Sequence, residues 1–318
     1  MRRDERGEYR RAHRNLLSAL PFEGGRTWPM SAPAWRDVRF RSPDGLELYA
    51  RDYGPVDAAS TAVLCLSGLT RNSKDAHKVA ERIGPCRRLI APDYRGRGRS
   101  DYAADWSSYR AEVELADAIM LLDTLKLDRA VVIGTSRGGL IAMLMAARHR
   151  DRLAGVLLND IGPALEPDGL LRIRSYLGRP LRFTTWRGAV AALKRANPGF
   201  ESLNEAEWLE FARRVYLDEG GRPVLDYDVN LRRSFPTAAQ IAAGAHAPLW
   251  ELLAALDGFP VAALRAEHSD LLNPATHLRM ADTIDGLDTV TVRDRGHAPF
   301  LDEPESVAAI GRLLARCP

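Results

Sequence analysis

Residues 131–140 read Val-Val-Ile-Gly-Thr-Ser-Arg-Gly-Gly-Leu: an apolar β-type run, then Gly-x-Ser-x-Gly, then the start of an apolar helix. A strand-to-helix turn of this kind holds Ser136 in a strained backbone conformation, and its flanking glycines let neighbouring chain pass without a Cβ clash. The hydroxyl then stands free, with the N–H groups of the following helix beside it for a developing oxyanion. A serine hydroxyl is a poor nucleophile at neutral pH and needs a base held by a third group. Of seven histidines, His297 lies between the last strand pattern and the C-terminal helix, on a loop at the carboxyl end of the strand. Two aspartates, Asp160 and Asp270, each follow an apolar strand pattern and are candidates for the third group. The reading favours Asp270 and gives Asp160 a helper role.

The elements that must position these residues are legible as hydrophobic patterns. Trp35–Arg41 and Leu46–Tyr53 alternate and are joined by Ser-Pro-Asp-Gly, which predicts an antiparallel hairpin closed at Asp44-Gly45. Thr61–Leu66, Arg88–Ala91, Ala130–Ile133 and Gly155–Leu158 are short apolar runs suited to strands buried on both faces of a parallel sheet. Pro260–Arg265 and Thr289–Val292 complete about eight strands. Helical patterns at Lys74–Ile83, Tyr109–Leu125, Gly138–Arg150, Pro274–Ile284 and Pro304–Leu314 alternate with them, as a doubly covered α/β sheet requires.

From roughly Gly162 to Asp257 the alternation breaks. Leu170–Tyr176, Trp186–Ala196, Glu205–Tyr216 and Leu249–Leu256 read as helices with no apolar core strand among them. The expected organisation is a basic N-terminal arm at 1–34, a core formed by 35–164 and 246–318, and a helical cap at 165–245. Met30 is a plausible start of translation, because the folded pattern begins after it.

Composition excludes several classes. The chain is 46% hydrophobic and 27% charged, with 45 basic against 42 acidic residues, so it buries a core and calls for no nucleic-acid partner. No run approaches the roughly 18 apolar residues that span a bilayer. The odd count of three cysteines, without metal spacing, fits a reducing cytoplasm. No metal or organic cofactor is implied: Gly96-Arg97-Gly98 lacks the third glycine of a dinucleotide fingerprint. The oligomeric state stays open, a homodimer included.

The chain resembles the α/β-hydrolase superfamily over roughly residues 35–318. Beside the serine turn, Asp93-Tyr94-Arg95-Gly96-Arg97-Gly98-Arg99-Ser100 resembles the Asp-x-Arg-Gly-x-Gly-x-Ser loop of these enzymes, and Gly296-His297-Ala298-Pro299 with Glu303-Pro304 resembles their histidine loop and closing helix. The resemblance implies a triad in the chain order Ser136, Asp270, His297, and it sets His268 aside as one strand too early. It also implies an oxyanion hole made by the backbone N–H groups of Leu69 and Arg137, although the usual His-Gly of that loop is Ser67-Gly68 here. Gly68-Leu69-Thr70-Arg71-Asn72, Asn159-Asp160-Ile161-Gly162-Pro163 and Ser269-Asp270 are similar to bacterial carboxylesterases, some of which act on monoalkyl phthalates.

The expected activity is therefore cleavage of a small to medium carboxylic ester through an acyl-enzyme. Ser136 at the elbow rules out the aspartate nucleophile of dehalogenases and epoxide hydrolases of this fold. Hydrolysis of a C–C bond or an enol lactone uses the same residues and stays open, as does a ligand-binding protein that has lost turnover. Arg71, beside the oxyanion loop, either takes a substrate carboxylate, favouring dicarboxylate monoesters, or braces the loop against Asp93 or Asp75.

Overall fold

The structure, a computed structural model, describes residues 34–84, 86–244 and 248–317. The expected basic arm, apart from Ala34, lies outside the described residues, as do His13 and His246. Eight strands form one sheet in the order β1-β2-β4-β3-β5-β6-β9-β10. They are β1 (Trp35–Arg41), β2 (Glu47–Tyr53), β3 (Val63–Leu66), β4 (Leu89–Asp93), β5 (Ala130–Thr135), β6 (Leu153–Asn159), β9 (Val261–Ala266) and β10 (Asp288–Val292). The β1–β2 and β2–β4 pairs are antiparallel and all the others parallel. Every strand expected from the apolar runs is present.

The β1–β2 hairpin turns where Gly45 takes a φ of +93°, open to glycine but strained for other residues. Its turn is tied into the molecule by the fully buried Arg95, which donates to both oxygens of Asp44 and both of Asp117 at 2.8–2.9 Å. Hydrogen bonding to Arg95 holds the Asp44 carboxyl down to about 2. The arginine of the Asp-x-Arg-Gly motif is thus a structural clamp.

Helices cover both faces of the sheet. α1 (His77–Ile83) and α10 (Pro304–Ala315) pack on one side over Val63, Val131, Leu157 and Leu264. α2 (Ala111–Thr124) and α3 (Arg137–Arg148) pack on the other over Leu64, Val132, Val156 and Ala263. The alternation of these two sets along each strand is the period-two pattern of a sheet with both faces in the core. α3 lies unusually close: a Cβ on Gly138 would stand 2.0 Å from the Leu66 carbonyl oxygen.

Between β6 and β9 the chain leaves the sheet. It forms α4 (Pro167–Tyr176), α5 (Trp186–Ala196), α6 (Glu205–Val215), a hairpin of β7 (Tyr216–Glu219) and β8 (Arg222–Leu225), α7 (Ala238–Ala242) and α8 (Trp250–Ala254), while α9 (Pro274–Arg279) follows β9. α5 and α6 enclose a small core of their own, with Val190, Leu193, Phe200, Trp208 and Phe211. The sequence shows no apolar run for the hairpin because its strands are four residues each and only one residue of each is buried. The signal was present in Gly220-Gly221, both at positive φ, the residues a two-residue turn demands.

Gly138→Ala is expected to destabilise the protein by about 1–3 kcal/mol, since α3 must move off β3 to admit the methyl group. Thermal denaturation measures this, and an unchanged melting temperature would mean that the helix and strand are not in contact.

Candidate active site

The elbow begins at the end of β5, where Ser136 takes φ 50° and ψ −110°. Such a conformation is costly for a residue with a Cβ and persists only where its surroundings over-determine it. Here the Ser136 N–H donates to the Asn159 carbonyl at 3.1 Å, and its own carbonyl accepts from the N–H groups of Gly139 and Leu140 in the first turn of α3. Side chains are absent where they would collide: a Cβ on Gly134 would meet the Gly138 carbonyl at 2.6 Å.

His297 approaches from the loop between β10 and α10. Its Nε2 lies 3.0 Å from Ser136 Oγ, and its Nδ1 lies 2.8 Å from Asp160 Oδ2. The loop is held by Glu303, a buried carboxylate that accepts from the Phe300 and Leu301 N–H groups, the Ser306 hydroxyl and Arg295 Nε.

Asp160, fully buried, follows β6 with a φ of 54°. Its carboxylate also accepts from the Ala266 N–H and the Ser269 hydroxyl, each at 2.8 Å. With His297 this gives one carboxylate three hydrogen-bond partners. The expectation that Asp270 would meet His297 is corrected by this geometry: the residue at Nδ1 is Asp160. Asp270 is gripped by Arg172 of α4, through Nη2 to Oδ1 at 2.8 Å and through Nε to Oδ2. Burial pushes the Asp270 carboxyl up, but Arg172 more than reverses this and leaves it below its ordinary value.

The reason lies in strand order. β6 is the immediate neighbour of β5, which carries Ser136, whereas β9 is one strand further out. Ser269, in the loop after β9, accepts from the N–H groups of Leu271 and Leu272 and turns the chain toward the inserted segment. There α4 sits directly on it: a Cβ on Gly169 would stand 2.6 Å from the Asp270 carbonyl oxygen. Asp270 therefore meets the insertion and Ser269 meets Asp160. Sequence reasoning missed Arg172 altogether and, although it singled out Ser269-Asp270, missed the contact of Ser269 with Asp160, because both act through partners about a hundred residues away.

On the other side of Ser136 the 67–72 loop closes in. A Cβ on Gly68 would lie 3.9 Å from Ser136 Cβ, so this loop passes within contact distance of the elbow. The Ser67 carbonyl accepts from the Tyr94 hydroxyl at 3.1 Å and the Leu69 carbonyl from Arg97 Nε at 2.9 Å, pinning the segment from below. Arg71 is already engaged with Asp75, through Nε to Oδ2 at 2.7 Å and Nη2 to Oδ1, and its guanidinium lies 5.0 Å from the Phe211 ring centroid. Phe211 and Phe200 in turn pack on Phe300 of the histidine loop, at 4.8 and 5.1 Å between centroids.

The remaining described histidines stand apart. His277 is buried with Nε2 2.9 Å from the Ala263 carbonyl, and His77 lies against Tyr53. His268 forms, with Glu267 and Asp294, the one cluster among the described residues with metal-ligating side chains in reach of one another, and all three are exposed. No described helix is long and apolar enough to cross a membrane.

Known proteins share this architecture. Residues 61–304 match the model of the alpha/beta hydrolase fold family. A 3-hydroxybutyrate-oligomer hydrolase of Cupriavidus necator is 35% identical over 288 residues, 87% of this chain and 96% of that protein. The 2-hydroxymuconate semialdehyde hydrolase of Pseudomonas sp. is 38% identical over 80 residues, 25% of this chain and 28% of that protein. Among solved structures, an alpha/beta hydrolase from Novosphingobium aromaticivorans superposes with a TM-score of 0.79 at 40% identity, covering 91% of this chain and all of that one. A family match over most of the chain, joined to a strained serine between a buried aspartate-held histidine and a close-packed helix, makes this chain a member of the α/β-hydrolase family.

Proposed function

We propose that the protein is a serine esterase with Ser136, His297 and Asp160 as its triad. The observation that carries this is the continuous contact from Ser136 Oγ through both ring nitrogens of His297 to Asp160 Oδ2. With the Nδ1–H donating to Asp160, Nε2 is left to accept the serine proton as the hydroxyl attacks a carbonyl. His297 then passes that proton to the leaving alkoxide and activates water to release the acyl-enzyme. The N–H groups of Leu69 and Arg137 receive the oxyanion. Support for these two comes from the close approach of Gly68 to Ser136 and the place of Arg137 as the first residue of α3.

The substrate class we assign is a short ester of a hydroxy acid bearing a free carboxylate. The support is the relative that covers nearly the whole chain and is named for 3-hydroxybutyrate oligomers, which are such esters. A C–C bond hydrolase is the second reading, favoured by the shorter match to 2-hydroxymuconate semialdehyde hydrolase. The free thiols of Cys65, Cys86 and Cys317 accord with a reducing cytoplasm.

Hydrolysis of 3-hydroxybutyrate dimers and trimers, p-nitrophenyl esters and vinylogous C–C substrates by the purified protein tests the assignment. Ester turnover is expected, with a fluorophosphonate labelling Ser136 and Ser136→Ala losing both labelling and turnover. Residual turnover in that variant at the wild-type rate would refute the mechanism.

The two aspartates separate in the same assay. Asp160→Asn is expected to lower kcat by on the order of 10³–10⁴ through a misplaced imidazole tautomer. Asp270→Asn should change kcat by less than about tenfold, since it loosens only a partly exposed pair with Arg172. The opposite order would return the acid role to Asp270.

We assign Arg71 to bracing the oxyanion loop, on the support of its bidentate pairing with Asp75. Arg71→Gln is then expected to alter KM by the same factor for a free-carboxylate ester and for its methyl-capped analogue. A rise of roughly tenfold or more confined to the free acid would make Arg71 a substrate ligand instead.

A further inference from the structure

Two guanidinium groups converge on one buried carboxylate beneath the site, and none of the three belongs to the serine, histidine and aspartate relay. Glu114 in α2 and Arg97 in the loop after β4 are both 0% exposed. Arg137 Nε donates to Glu114 Oε2 at 2.7 Å, and Arg97 Nη1 lies 2.8 Å from Glu114 Oε1.

Each arginine reaches a different part of the oxyanion hole. Arg97 Nε donates to the carbonyl of Leu69, and Arg137 is itself the first residue of α3 after Ser136, the residue assigned above as the second oxyanion donor. Both are fixed at a further point: Arg97 Nη1 donates to the Arg95 carbonyl at 2.7 Å and Arg137 Nη2 to the Tyr109 carbonyl at 3.3 Å. Burial pushes the Glu114 carboxyl up, and the guanidinium groups of Arg137 and Arg97 more than reverse this, leaving it below its ordinary range.

An ion cluster this deeply buried adds little stability over an apolar replacement of the same shape, so geometry is the better account of its presence. We propose that Glu114 is a positioning residue that sets the spacing between the two oxyanion amides, with Arg97 and Arg137 as its arms. This rests on the assignment of the Leu69 and Arg137 N–H groups as oxyanion donors. Such donors act only where the charge develops, and a displacement near 1 Å costs on the order of a hundredfold in rate.

Glu114→Gln keeps the shape of the side chain and removes its charge. Assayed well below its melting temperature, it is expected to lose roughly ten- to a hundredfold in kcat with KM within about twofold of wild type. A trifluoromethyl ketone, whose hemiketal oxyanion on Ser136 occupies the hole, should bind more weakly by the same factor as kcat/KM falls. The product acid should bind unchanged. Should Glu114→Gln fail to fold, Arg137→Gln cuts only the partly exposed arm, leaves Arg97 and Glu114 paired, and is expected to give the same pattern. Wild-type kcat in the folded variant, or a loss seen only in melting temperature, overturns the role of Glu114. Failure of the underlying serine-esterase reading looks different: the wild-type enzyme itself would show neither ester turnover nor affinity for the trifluoromethyl ketone.

Discussion

Gly138 leaves no room for a side chain between the first turn of α3 and the end of β3, where the Leu66 carbonyl would touch its Cβ at 2.0 Å. Because β3 launches the 67–72 loop and α3 begins directly after Ser136, this one contact sets the distance between the nucleophile and the loop that faces it. The positive φ of Ser136 follows from the same constraint: a chain that must leave β5 and enter a helix pressed against β3 has no relaxed way to turn. The strain is held by the hydrogen bonds around the elbow, to Asn159 on the neighbouring strand and within α3.

Around that contact the polar side chains are arranged as matched pairs, each fixing a loop that the sheet alone leaves unspecified. Arg95 joins the first hairpin to α2 through Asp44 and Asp117. Glu303 gathers the histidine loop, Asp75 takes Arg71, and Arg172 of the insertion takes Asp270. Buried charge is tolerated only when paired and hydrogen-bonded, as Arg95 with Asp117 and Glu303 with Arg295 are, whereas the partly exposed pairs of Arg71 and Arg172 add little stability and serve to hold their segments in place. The insertion is seated by apolar packing as well. Phe200 and Phe211 rest on Phe300, three residues after His297, so the insertion and the histidine loop share one aromatic surface.

The nucleophile, the histidine and the sheet were legible in the sequence because their signals are local. Short apolar runs bounded by turn residues mark strands buried on both faces, and Gly-x-Ser-x-Gly between a strand and a helix marks a backbone that only small neighbours permit. A glutamate on the apolar face of α2, in register with Ala111, Ala118 and Leu121, was an available signal for Glu114. A charge on a core-facing stripe requires a partner, and the sequence does not say which.

Tertiary structure decided which aspartate holds the imidazole. Asp160 and Asp270 each follow a strand and both fit the chain order Ser, Asp, His, so the sequence offered two candidates and the reading that favoured the later one had no distance to test it. Their roles are separated by lateral strand order, which places β6 directly beside β5, and by Arg172, which arrives from a helix about a hundred residues before Asp270 and occupies its carboxylate. Arg71 was left between substrate and scaffold by its sequence neighbours, and one turn of backbone brought Asp75 within reach. Local sequence determines conformations whose energy depends on a few adjacent residues; pairing between distant charges depends on distances that exist only once the chain has folded.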